Sequence, residues 1–153
     1  MIIRNAKLFD IKNVYDLICD MESRELDYRK FEHIFHDYLE DDRFFSIVAE
    51  EDGFIIGCLN LRIEYQLHHI EKIAEIMELA VMGRFRSKGV GKELFQRASE
   101  IAKDNGCLQI EACSNQLRLK AHKFYERQGM NKFHYKFSMN LNGEEIKENK
   151  LGI

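Results

Sequence analysis

The sequence predicts a single α/β domain built on a mixed β-sheet, and three observations carry that expectation. At 153 residues the chain is long enough for one domain with a real core and too short for two ordinary ones. Apolar residues recur with helix and strand periods in the order β-α-α-β-β-β-α-β-α-β, a pattern that mixes adjacent strands with helical crossovers. No repeat, linker or low-complexity stretch divides the chain, and with no proline every break must come from glycine, asparagine or charge. The domain is expected to span residues 1–141, with 142–153 as a polar tail that frays.

The elements follow in order. Residues 1–6 read as a short edge strand, and Asp10 as the cap of a helix carrying Ile11, Val14, Leu17, Ile18 and Met21 on one face. A second helix over 28–39 places Phe31, Ile34, Phe35 and Tyr38 inward and ends at the acidic run 40–42. Residues 44–49 and 54–63 form strands joined by a turn at Glu51-Asp52-Gly53, where glycine supplies positive φ. Gly57 marks a bulge or the close approach of another backbone. A polar connection over 65–71 leads to a strand at 74–82. A helix over 89–104 ends at Asn105-Gly106, and residues 107–113 form a strand. A helix over 118–128 stops at Gly129. Phe133, Tyr135, Phe137, Met139 and Leu141 alternate as one face of a last strand.

Composition removes several function classes. A formal net charge of -3 does not favour a nucleic-acid partner, although a local basic patch still suits an anionic cofactor. No stretch approaches the roughly 20 apolar residues of a membrane span, and Arg4 and Lys7 are followed by no apolar run of a secretory signal. The expected setting is cytoplasmic, with no membrane partner. Cys19, Cys58, Cys107 and Cys113 form no C-x-x-C pair and read as free thiols.

The sharpest chemical feature is Arg86-Ser87-Lys88-Gly89-Val90-Gly91-Lys92, which follows a strand and opens a helix. The first turn of a helix offers free N–H groups and the positive end of the dipole. Gly89 and Gly91 remove side chains that would keep a phosphate from those groups, and Arg86, Lys88 and Lys92 add positive charge. A diphosphate suits such a turn, although a glycine-containing helix start with a solvated basic face explains the same residues. Neither the dinucleotide fingerprint nor the Walker pattern is met.

Glu78-Leu79-Ala80-Val81 followed by Arg86-x-x-Gly89-x-Gly91 resembles the acyl-CoA signature of the GCN5-related N-acetyltransferase superfamily. Asn115 and Ala121-His122-Lys123-Phe124-Tyr125 through Gly129-Met130 resemble its fourth-helix motif, with Met130 in place of an aromatic residue. Over about residues 7–141 the chain also resembles the aminoalkylphosphonate N-acetyltransferase branch, through Leu17-Ile18-Cys19, Leu26-Asp27, Leu67-His68-His69, the fourth-helix motif and His134. It departs from that branch at Asp27-Tyr28-Arg29, where a double histidine would follow the aspartate.

The resemblance implies a mixed sheet with four flanking helices, whose fourth and fifth strands splay so that the pantetheine arm of acetyl-CoA lies between them. The backbone of Leu79, Ala80 and Val81 would meet that arm. Backbone groups of Arg86, Ser87, Lys88, Gly89, Val90, Gly91 and Lys92 would hold the diphosphate, and Asn115 would lie near the arm. The acceptor is a small-molecule amine, which must lose a proton before it attacks. Glu75 matches the superfamily's general base and is the preferred candidate; Glu78 is the second. A regular strand puts residues three apart on opposite faces, and a bulge removes that parity. Tyr125 matches the general acid that meets the departing thiolate and also borders the cofactor; a core tyrosine beside Phe124 is the plain alternative.

Tyr28, His68, His69 and His134 are expected on the acceptor side. The resemblance brings a divalent metal in as an option, with no ligands assigned. It brings a homodimer in by analogy. Two rivals stay open: another acceptor, from amino acid to protein amine, and a domain that binds acetyl-CoA without turning it over.

Overall fold

A computed structural model of the chain describes residues 1–144. Five strands, β1 (Ile2–Asn5), β2 (Phe44–Glu51), β3 (Phe54–Gln66), β4 (Glu71–Val81) and β5 (Gln109–Ala112), lie side by side in sequence order. The first four pair antiparallel and β5 joins β4 in parallel, so the sheet is mixed. The helices are α1 (Ile11–Glu22), α2 (Tyr28–Glu40), α3 (Val90–Asp104) and α4 (Leu119–Arg127). The chain divides into two compact units, Met1–Ala112 with the whole sheet and α1 to α3, and Cys113–Ile153 with α4.

In the first unit, β3 is the central strand of the sheet and is buried on both faces. Leu59 and Leu61 have no exposed surface. Its even-numbered face meets α1 and α2, where Val14, Leu17, Ile18, Phe35, Val48, Cys58 and Ala80 form one cluster. Its odd-numbered face meets α3: a Cβ on Gly57 would stand 3.1 Å from both Leu94 Cδ1 and Val90 Cγ1, and 3.2 Å from the Ala80 carbonyl oxygen. Gly57 is therefore a point of close approach between helix and sheet, as its place in an apolar strand predicts. Each large side chain buried this way contributes roughly 1.5–3 kcal/mol.

Several expectations need correction. Asp10 stands at the start of α1 but does not cap it. Its backbone is helical, and its carboxylate turns back to Arg4 at 2.7 and 2.9 Å and to the Lys7 N–H at 2.8 Å. Asp27 is the aspartate that caps a helix, accepting from the Lys30 N–H at 3.1 Å. Ile34 lies at the margin of the α2 apolar stripe and is exposed, while Phe35 is buried. The β3–β4 hairpin is longer than its composition suggests. Backbone pairing carries through the polar residues to Gln66 and Glu71, leaving a four-residue turn over 67–70.

The strand expected at 133–141 is not formed among the described residues. That segment joins no ladder, and Phe133, Tyr135, Phe137, Met139 and Leu141 are all exposed. Alternation is a local signal, whereas a strand needs a partner for its N–H and C=O groups. Most of the expected tail lies outside the described residues. No described helix is long and apolar enough to cross a membrane.

Candidate active site

The site begins with an irregularity in β4. Asn60 on β3 pairs with Glu78, Leu61 with Ile76 and Arg62 with Glu75, so Met77 has no partner. This one-residue bulge cancels the pleat's alternation. Asn60 and Arg62 are two apart and share a face, and each reaches one of the glutamates. Asn60 Nδ2 donates to Glu78 Oε2 at 2.9 Å, and Arg62 Nη2 to Glu75 Oε2 at 2.8 Å. Glu75 and Glu78 therefore lie on the same face of the sheet.

The two carboxylates have different surroundings. Burial pushes the Glu78 carboxyl above the usual carboxylate range; the Asn60 hydrogen bond opposes that rise and the charge of Glu22 adds to it. Glu75 shares Arg62 with Glu64, whose carboxylate lies 3.2 Å from the guanidinium. Tyr38 of α2 stacks on Phe44 at 4.1 Å between centroids and faces both Glu78 and Arg62; burial, with the Glu78 charge, raises its phenol. The Cys58 thiol, on the same face, is pushed up to about 12 by burial and by Glu78, which keeps it un-ionised. Two buried polar atoms on this face, Ser46 Oγ and Arg62 Nε, have no hydrogen-bond partner. Ser46 pairs in register with Asn60, so a polar row of Ser46, Asn60 and Glu78 crosses three strands.

Beyond the bulge, β4 runs on past the end of β5. Their pairing runs from Ile73 with Gln109 to Ile76 with Ala112 and ends there, although β4 continues to Val81. Leu79, Ala80 and Val81 thus present backbone that β5 does not cover. The basic turn follows. Gly89 takes φ +90° at the start of α3, with open space where a Cβ would be, and no side chain caps the helix. Ser87 also adopts positive φ, at 61°. No side chain caps the N–H groups of Val90, Gly91 and Lys92, which lie in the first turn of the helix. Arg86 is not free to join them as it stands: its guanidinium bonds Asp20 at 2.6 Å and the Val81 carbonyl at 2.9 Å. Lys88 lies over the Phe85 ring.

The other candidates divide between the units. His68 and His69 lie in the β3–β4 turn with ring centroids 4.3 Å apart, and His69 Nε2 is 3.9 Å from Glu111, the register partner of Glu75. Tyr28 packs edge-on against Tyr15, while Tyr38, from the opposite end of α2, supplies the ring at the polar row. In the second unit, Asn115 builds the turn before α4. Its side chain accepts from the Leu117 N–H at 2.8 Å, and its carbonyl meets His122 Nε2 at 2.8 Å. Tyr125 sits edge-on to Phe124, and burial raises its phenol, with Arg118 acting the other way. His134 belongs to the exposed segment after α4. Among the described residues no three His, Cys, Asp or Glu side chains cluster as metal ligands.

Sequence reasoning missed Asn60 and Arg62. The signal for both was present: an amide and a guanidinium spaced by two within the otherwise apolar run 55–63.

Comparison with known proteins agrees with this architecture. The family model described as Acetyltransferase (GNAT) family matches residues 11–130. An aminoalkylphosphonate N-acetyltransferase of Salmonella typhimurium is 34% identical over 139 residues, covering 91% of this chain and 90% of that protein. Among solved structures, a Bacillus halodurans protein described as a transcriptional regulator superposes with TM-score 0.83 at 24% identity, over 91% of this chain and 98% of the other. The aminoglycoside 6'-N-acetyltransferase of Acinetobacter haemolyticus gives 0.79 at 17% identity, over 96% and 100%. These two likenesses concern the fold. With the family match over most of its length, the chain belongs to the acetyltransferase (GNAT) family and is an acetyl-CoA-dependent N-acetyltransferase that acts on an amine.

Proposed function

We propose that the acceptor is a small primary amine of the aminoalkylphosphonate class, acetylated by direct attack with Glu78 as the proton acceptor and Tyr125 as the proton donor. The observation that carries the catalytic assignment is the burial of Glu78 on the face it shares with Glu75. The substrate class rests on the 34% identity to the Salmonella enzyme across nearly both chains.

An alkylamine with a pKa near 10 reaches the enzyme as an ammonium ion. Glu78 takes one of its protons, and a carboxyl raised toward neutrality is better matched to that task than an ordinary one. The neutral amine then attacks the thioester carbonyl. The C–N bond forms and the C–S bond breaks. The second amine proton passes to solvent while the thiolate takes a proton from the Tyr125 hydroxyl. A backbone N–H near Val81 stabilises the carbonyl oxygen as charge develops there. Glu75, held by Arg62, stays in place as an anion that attracts the ammonium. The turn from Arg86 to Lys92 would hold the diphosphate of acetyl-CoA, and the backbone of Leu79 to Val81 its pantetheine arm. The histidines do not form a ligand set among the described residues.

The test is release of free CoA thiol from acetyl-CoA with a panel of aminoalkylphosphonates, polyamines, amino acids, aminoglycosides and a lysine peptide, each with and without a divalent metal. Turnover confined to aminoalkylphosphonates supports the reading. Turnover confined to another class removes the acceptor assignment and leaves the family activity standing.

A further inference from the structure

We propose that Asn60 is the positioning residue of the proton acceptor: its side-chain amide aims the Glu78 carboxylate along the sheet face and holds it in the ionised form that begins each turnover. This rests on Glu78 being the base.

Asn60 is 5% exposed, in a strand whose neighbours Leu59 and Leu61 are wholly buried. An apolar residue would fit such a position and avoid the cost of burying an amide. The amide is instead spent on one contact, the 2.9 Å bond from Nδ2 to Glu78 Oε2, made between residues in direct register. A donor to a carboxylate favours its charged form.

Burial and one like charge otherwise work against ionisation of Glu78, and its remaining neighbours are neutral. Glu22 of α1 adds like charge, and Cys58 of β3 is an un-ionised thiol. Tyr38 of α2 faces the carboxylate with a phenol whose own ionisation Glu78 suppresses. The nearest cation on β3, Arg62, is taken up by Glu75 and Glu64. Ser46, on the far side of Asn60, has a buried hydroxyl without a partner. Among the described residues the row therefore holds Glu78 through the Asn60 amide.

The experiment compares the wild type with Asn60→Leu, Asn60→Ala, Ser46→Ala and Glu78→Gln. Each is assayed for kcat/KM of the best amine from the panel between pH 5 and 9. The carboxyl carbon of Glu78 is followed through the same range by NMR of 13C-glutamate protein, which needs no turnover. Loss of the donor is expected to move both the acid limb and the NMR midpoint upward by about one pH unit. At pH values below the wild-type midpoint that lowers kcat/KM about tenfold, with recovery toward the alkaline plateau. Ser46→Ala, which keeps the Asn60–Glu78 hydrogen bond, is expected to leave the NMR midpoint unchanged. If Glu78→Gln is inactive while the Asn60 variants keep the wild-type midpoint and acid limb, Asn60 is a structural amide and the proposal fails alone. If Glu78→Gln retains wild-type kcat/KM, the base assignment fails and this proposal falls with it. Asn60→Ala, the smaller change, supplies the readouts should Asn60→Leu not fold.

Discussion

Glu75 and Glu78 stand three positions apart on β4 and yet face the same side of the sheet, because Met77 between them pairs with nothing on β3. One is tied to Arg62 and the other is buried beside Asn60, so their replacement should have unequal effects. Glu78→Gln is expected to lower kcat/KM by about 10²–10⁴, the usual weight of a general base. Glu75→Gln is expected to raise the KM for the amine while keeping kcat within about tenfold. Steady-state kinetics with saturating acetyl-CoA separates the two. The reverse ranking would hand the proton to Glu75, the candidate that sequence resemblance favours.

The same burial makes Glu78 a stability liability at neutral pH. Its folded-state pKa is raised, so its contribution is fully favourable below the unfolded pKa and is lost as pH rises through the folded value. Glu78→Gln removes the ionisation and keeps an oxygen for Asn60. The variant should melt about 2–4 °C above wild type at pH 8, and the two should converge near pH 4. Melting curves at both pH values check the sign; a variant less stable at pH 8 would contradict it.

Asp10 has the opposite linkage. Burial opposes its ionisation, but the Arg4 guanidinium and the Lys7 N–H outweigh it and hold the carboxyl below its usual range. Its contribution is present above the unfolded pKa and is lost as pH falls through the folded one. Asp10→Ala leaves Arg4 with Glu50 alone and should cost about 2–4 kcal/mol, since one partner of a largely buried pair is removed. Urea unfolding at pH 7 measures it. The difference from wild type should shrink in acid, at pH values that protonate Asp10 in the wild type.

Gly57→Ala tests the contact between α3 and the sheet. The new methyl meets two buried side chains and a backbone oxygen at 3.1–3.2 Å, and the oxygen belongs to β4 and cannot turn aside. A loss of about 1–3 kcal/mol is expected. Val90 begins the helix whose first turn would receive the diphosphate, so the KM for acetyl-CoA should rise as well. Thermal melting and acetyl-CoA titration report the two effects independently.

What the sequence revealed followed from how local each feature is. The turn before α3 was readable because a basic helix start with positive φ needs glycine near it, and Gly89 supplies it. The resemblance that singles out Tyr125 and Asn115 lies within one stretch of chain. The shared face of Glu75 and Glu78 was not, because a bulge is fixed by register against β3, some fifteen residues away in sequence. Asn60 was passed over for the same reason: in its own run it is one polar residue among apolar ones, and its meaning appears only across the strand. Residues 133–141 erred the other way, with a local alternation that no neighbouring strand answers among the described residues.

The bulge at Met77 lies next to the end of β4–β5 pairing at Ile76, so β4 changes its register against β3 just where it passes the end of β5. Excising Met77 would restore a regular spacing of two between the glutamates and keep both on one side. It would also remove the irregularity in the ladder at the place where β4 passes the end of β5. The placing of both carboxylates thus depends on a single-residue insertion, a change of length rather than of side chain.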